Sequence, residues 1–137
     1  MGEDHVVRSL NNEAAAYIFD SRPPLRYISR DLITVTAPHH QVSLYPTGDG
    51  RLATFFLHEV DEHRREPATS SACSVLRQTY QDLGWIVPDV LAQCEQSANV
   101  YFDRVEQVDL PRWSKGRVVL LGDACQCVSP LAGQGAS

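Results

Sequence analysis

Little in these 137 residues is concentrated enough to reveal a function, and each shortage excludes something. No apolar run approaches the ~20 residues that a membrane-spanning helix needs. Basic residues are few and scattered: 12 Lys and Arg stand against 17 Asp and Glu, and Arg64-Arg65 is the densest pair. A net charge of −5 without cationic clusters argues against a nucleic-acid partner, because phosphate contacts need grouped Lys and Arg. The cysteines Cys73, Cys94, Cys125 and Cys127 are irregularly spaced. Cys125-Gln126-Cys127 has no second pair and no histidine at finger-like spacing, so no metal site is expected. These thiols read instead as small apolar side chains packed beside a turn. The N-terminus, Met1-Gly2-Glu3-Asp4-His5, is acidic and polar, unlike a secretory signal. A cytoplasmic location is therefore expected, and with it no disulfide. The sequence shows neither an internal repeat nor a low-complexity segment, and offers no serine–histidine–aspartate set or paired carboxylates.

What is there is a chain long enough for one core, patterned first as strands. Residues 1–12 carry little pattern and are expected to include a poorly ordered end. Ala14 to Asp20 suits a strand, although its alanines could equally start a helix, and Arg22-Pro23-Pro24 breaks either. Asp31 to Thr36 is β-branched, Pro38-His39-His40 is a turn, and Gln41 to Tyr45 alternates with Val42 and Leu44 on one face. Pro46-Thr47-Gly48-Asp49-Gly50 signals a hairpin. Arg51 to Val60 returns as a strand, with Leu52, Thr54, Phe56 and His58 on one side and Ala53, Phe55 and Leu57 on the other. Apolar residues on both faces mark it as central.

Asp61 to Glu66 is a charged loop, and a helix is expected from Pro67. Ala72, Val75, Leu76, Thr79, Tyr80 and Leu83 recur at three- and four-residue intervals, and Gly84 is placed to end that helix. Pro88 opens a second helix through about Ser97, and Asn99 to Val108 is a further strand. The order implies an α+β fold, a mainly antiparallel sheet with helices on one face. Arg117 to Leu121 is a last strand, continuously apolar like a buried parallel strand yet with no parallel neighbour in the chain.

That strand runs into Gly122-Asp123-Ala124 and then Ser129-Pro130-Leu131-Ala132-Gly133-Gln134-Gly135-Ala136-Ser137. A carboxylate at a strand end can accept hydrogen bonds from ribose hydroxyls, and a glycine-rich helix start can face a pyrophosphate or an electron-rich ring. The stretch Leu110-Pro111-Arg112-Trp113-Ser114-Lys115-Gly116 through Ala124, with Ser129 to Gly135, resembles the second flavin-binding motif of FAD-dependent aromatic-hydroxylase-type monooxygenases of the para-hydroxybenzoate hydroxylase kind. Val42 to Pro46, the Gly48-Asp49-Gly50 hairpin and the Tyr80–Trp85 segment resemble that family's substrate domain.

The resemblance implies a substrate-covering middle domain over 1–109 and part of an FAD-binding domain over 110–137. It implies cofactor contacts at Gly122, Asp123, Pro130, Gly133, Gln134, Gly135 and Ala136, with FAD as cofactor and NAD(P)H as reductant. The substrate would be an aromatic or polyketide-like small molecule. By residue type alone, Tyr45, Phe55, Phe56, Tyr101 and Phe102 could line an aromatic pocket, while most of them read as core; Tyr45, Thr54 and Phe56 are the pocket candidates. The family's Gly-x-Gly-x-x-Gly fingerprint is missing, and the chain stops as a helix should begin. The sequence thus reads as the middle of a larger protein, inactive by itself. The alternative is a non-catalytic, small-molecule-binding or self-associating module, its contact made through the unpaired strand 117–121. His39, His40 and His58 read as a polar turn pair and a strand-end residue, since the sequence shows no group to orient an acid–base histidine.

Overall fold

The computed structural model describes residues 6–20, 31–60, 71–126 and 129. Five strands form one sheet: β1 (Val6–Asp20), β2 (Ile33–Ala37), β3 (His40–Pro46), β4 (Arg51–Glu59) and β5 (Val100–Asp109). Their order is β2-β3-β4-β1-β5, so β4 is interior, as its two apolar faces require. Helices α1 (Ala72–Tyr80) and α2 (Val87–Gln93) fall between β4 and β5, and a 3₁₀ turn, Cys94–Gln96, follows α2. A small ladder, β6 (Ser114–Lys115) with β7 (Val118–Val119), precedes the short helix α3 (Asp123–Gln126). The chain divides into two compact units, Glu13–Asp103 and Met1–Asn12 with Arg104–Ser137.

In the larger unit the hairpins follow local chemistry. The β2–β3 turn is two residues long, with Ala37 paired to His40 and His39 at φ 64°. The β3–β4 turn places Gly48 and Gly50 at φ 82° and 85°, a conformation that costs glycine little. Asp49 braces it, accepting hydrogen bonds from the Arg51 side chain (2.8 Å), the Arg51 backbone N–H (3.2 Å) and the Thr47 hydroxyl. These contacts, the Arg51 side chain foremost, hold the Asp49 carboxyl well below the usual carboxylate range.

The alternation of β3 and β4 decides which face is buried. Val42 lies opposite Phe56 and Leu44 opposite Thr54, all fully buried. Ala15, Tyr17 and Phe19 of β1 join them, and the helices cover this face with Leu76, Tyr80, Ile86, Val87, Val90 and Leu91. Phe56 stacks on Tyr17 at 5.7 Å and meets the edge of Tyr80 at 4.9 Å. The Tyr17 hydroxyl donates to the Val90 carbonyl at 2.8 Å, fastening α2 to β1. The antiparallel ladders β2–β3 and β3–β4 and the helices on one face agree with the fold class expected from the sequence.

Four expectations change. Residues 6–12 lie in β1 rather than in a frayed end; Asn11, at φ 54°, takes an irregular turn within the strand where its N–H meets the Ser9 hydroxyl at 3.2 Å. Helix α1 ends at Tyr80, before Gly84, with Leu83 N–H bonded back to the Tyr80 carbonyl. Its expected start at Pro67 lies outside the described residues; within them Ser71 caps the helix, accepting the Ser74 N–H.

The third change is a disulfide. Cys73 of α1 and Cys94 at the end of α2 are bonded, because the helix packing brings their Cα atoms to 5.7 Å. The fourth concerns the last strand, described in the smaller unit. Only Val118–Val119 is extended, and it pairs antiparallel with Ser114–Lys115, a stretch expected to be mere connection. Gly116 at φ 60° makes the two-residue turn with Arg117, and Leu120 N–H reaches the Trp113 carbonyl at 2.8 Å. The run is thus paired rather than unpaired, and it is exposed, as expected of strand 117–121: Val118, Val119 and Leu121 are 58%, 56% and 75% accessible. In the same unit Arg8 joins Gln107 at 2.8 Å and Asp109 at 3.7 Å.

Candidate functional site

The β6–β7 ladder delivers the chain to Gly122, which is exposed and at φ 60°, with open space where a Cβ would stand. Cys125 N–H closes the first turn of α3 on the Gly122 carbonyl at 3.0 Å. Asp123 is thus the first residue of α3, directly after a glycine that keeps the backbone bare. Pro130, Gly133, Gln134, Gly135 and Ala136 lie outside the described residues.

The three pocket candidates do not share a face. Tyr45 pairs with Ala53 and is half exposed on the helix-free side of the sheet. Thr54 and Phe56 point to the helix-covered side and are fully buried. Phe56 is part of the aromatic core, and the Thr54 hydroxyl is buried with no hydrogen-bond partner.

The helix-free side has its own pattern. Ala14, Ser43 and Ala53 are small and buried there, among Tyr45, Ile18 and the partly buried Phe55 and Leu57. Ser43 carries a short polar chain: its hydroxyl is 3.1 Å from that of Thr34 and accepts from Gln41 Nε2 at 3.3 Å. Small residues, ring edges and paired hydroxyls make a surface that a flat, partly polar molecule can lie against.

The sequence reading missed a buried polar cluster. His58 is read there as a strand-end residue without an orienting group, but the fold supplies two. Its Nε2 lies 3.3 Å from the Glu13 carboxylate of β1, and its Nδ1 is 3.2 Å from the Tyr80 hydroxyl of α1. His40, the cross-strand neighbour of His58, stacks beside it and meets the Tyr80 ring at 5.3 Å. Burial pushes the Tyr80 phenol well above its ordinary range, so it stays protonated and can donate to His58. No spacing along the chain connects residues 13, 58 and 80. Among the described residues, no group of three or more His, Cys, Asp or Glu could hold a metal ion, and no helix is long and apolar enough to cross a membrane.

Comparison with known proteins follows the same lines. A family described as "FAD binding domain" matches residues 8–137. A flavin-dependent monooxygenase of Legionella longbeachae is 47% identical over 60 residues, 44% of this chain and 15% of that protein. The FAD-dependent monooxygenase asL6 of Sarocladium schorii is 49% identical over 51 residues, 37% of this chain and 12% of its own length. Among solved structures, tetracycline destructase Tet(55) superposes with a TM-score of 0.78 at 25% identity, over 98% of this chain and 36% of its own. HpxO of Klebsiella pneumoniae, in its R204Q form complexed with FAD, shares the fold at a TM-score of 0.76 and 22% identity, over 95% of this chain and 34% of its own. The chain thus spans about a third of the length of these solved relatives. With a family match over nearly all its residues, the chain belongs to the FAD binding domain family, and the proteins it resembles include flavin-dependent monooxygenases.

Proposed function

We propose that the chain provides the substrate-covering sheet (residues 1–109) and the second flavin motif (residues 110–137) of an FAD-dependent, NAD(P)H-using monooxygenase. Its substrate is an aromatic or polyketide-like small molecule. The observation that carries this reading is the bare Gly122 turn followed at once by Asp123, in a chain whose FAD-family match runs through it. The residues fit the cofactor chemically. Gly122 lets a ligand approach the backbone, and a carboxylate beside it accepts from sugar-alcohol hydroxyls. Pro130 and the Gly133–Ala136 run complete the contacts in this proposal.

FAD, when bound, supplies the oxygen-activating redox chemistry, which explains why no side-chain triad is needed. The protein's part is to bind, orient and exclude water. Tyr45, Phe55 and the Thr34–Ser43 hydroxyl pair form the covering surface; Thr54 and Phe56, across the sheet, fix its shape from behind.

Because relatives are about three times as long, the chain alone retains little flavin and is inactive in this reading. The test mixes the purified chain with a separately expressed dinucleotide-binding domain from a relative and measures bound flavin absorbance after gel filtration. Retention only in the mixture, lost with Asp123→Ala, supports the proposal. Equal retention by Asp123→Ala, or none in any mixture, overturns it. The exposed Val118, Val119 and Leu121 favour a second reading, self-association through this segment. A monomer in light scattering at micromolar concentration would refute that.

A further inference from the structure

Cys73 and Cys94 tie α1 to the end of α2, and their surroundings differ. Cys73 is the second residue of α1, directly after Ala72 and the Ser71 cap, and is partly accessible. The unpaired N–H groups of a first helical turn favour negative charge at that position. Cys94 closes the C-terminal end of α2, where carbonyl dipoles oppose negative charge, and is 1% exposed. One helical turn further along α1, Arg77 reaches Glu95 at 3.0 Å, so the two segments also meet through an exposed ion pair. The pair therefore joins a partly buried cysteine at a helix start to a fully buried one at a helix end, already within bonding reach. Tyr80, at the far end of α1, packs on Phe56 and His58, so whatever fixes α1 also fixes the helical cover of the sheet.

We propose that Cys73 and Cys94 form a redox-responsive staple, in which Cys73 is the thiol attacked first by a peroxide oxidant and Cys94 is the thiol that closes the bond. In the dithiol form, the Cys73 thiolate attacks the peroxide O–O bond. An S–O bond forms, the O–O bond breaks, and the leaving oxygen is protonated to alcohol or water. Cys94 sulfur then attacks Cys73 sulfur; the hydroxyl leaves with the Cys94 proton as water, and the disulfide is made. Two electrons pass from two thiols to one peroxide, with an alcohol (or water) and water as products. A dithiol reductant reverses the change by entering at Cys73, the less buried of the two residues.

The test reduces the whole chain, removes the reductant, and maps iodoacetamide labelling by mass before and after hydrogen peroxide. In the reduced protein Cys73 is expected to be labelled at least about tenfold faster than Cys94. Peroxide should then yield a Cys73–Cys94 linked peptide, together with a thermal midpoint raised by about 10 °C. In Cys94→Ser, a sulfenic-acid reagent should mark Cys73; in Cys73→Ser it should leave Cys94 unmarked. Equal labelling of the two thiols, a sulfenic adduct on Cys94, or peroxide-induced pairing to Cys125 or Cys127 instead would overturn the proposal. The labelling ratio uses the unmutated chain, so it decides the matter even if a variant fails to fold.

Discussion

Replacing Tyr80 separates what packing contributes to this fold from what its buried polar cluster contributes. Tyr80 is fully buried, with its ring 4.9 Å from Phe56, 5.5 Å from His58 and 5.3 Å from His40. Its hydroxyl lies 3.2 Å from His58 Nδ1. Tyr80→Phe keeps every ring contact and removes the buried hydroxyl with its hydrogen bonds to His58 and the Leu57 backbone, a loss of about 1–2 kcal/mol. Tyr80→Ala deletes the ring and leaves a cavity between α1 and the sheet, a loss of about 3–5 kcal/mol. Packing should therefore outweigh the hydroxyl two- to threefold. Urea unfolding, followed by circular dichroism and by the fluorescence of Trp85 and Trp113, measures both changes as shifts in midpoint at constant slope. A Tyr80→Phe variant as damaged as Tyr80→Ala would mean that the link to His58 and Glu13, not the ring, holds α1 in place. A Tyr80→Ala cost below about 1 kcal/mol would show that the helix does not seat on this core.

Three other outcomes follow from the same structure. Burial raises the phenols of Tyr17 and Tyr80 well above the ordinary tyrosine value of about 10, so above pH 10 the unfolded chain releases protons that the folded chain keeps. Stability should fall as pH rises through 10 and beyond, and Tyr17→Phe with Tyr80→Phe should flatten that decline in chemical denaturation at pH 9–11; an unchanged slope would refute the burial. Gly50→Ala, at φ 85° with open space around it, should cost about 1 kcal/mol through backbone strain alone, read as a lower urea midpoint; no loss would mean that the turn adopts another conformation. Thr54→Val removes a buried hydroxyl that has no partner and keeps its shape, so the thermal midpoint should rise, by up to about 1 kcal/mol of stability. A loss of that size would instead reveal an unrecognised partner for Thr54.

The strands from Ala14 to Tyr45 and from Arg51 to Val60 were legible because alternation and turn residues are local signals, and burial of Val42, Leu44, Leu52 and Phe56 follows them. The glycine turn at Gly122 that opens a helix was legible because a bare turn and a following helix start need only adjacent residues. The last strand was misjudged as unpaired because Ser114–Lys115 has no strand pattern of its own; Gly116 and Arg117 fold the run back on it. The pocket candidates scattered because aromatic and hydroxyl residues were chosen by type, whereas parity along β3 and β4 put Tyr45 on one face and Thr54 and Phe56 on the other.

The sequence by itself determined the order of elements as far as β5, the β2–β3 and β3–β4 hairpins and the acidic glycine turn, since each depends on neighbours within a few residues. Only the tertiary structure decided that Glu13, His58 and Tyr80 meet, and that Cys73 and Cys94 come within bonding reach. Those contacts join β1 to β4, β4 to α1, and α1 to the end of α2. Their existence depends on how a sheet and two helices bury a common apolar face, which no short stretch of sequence encodes.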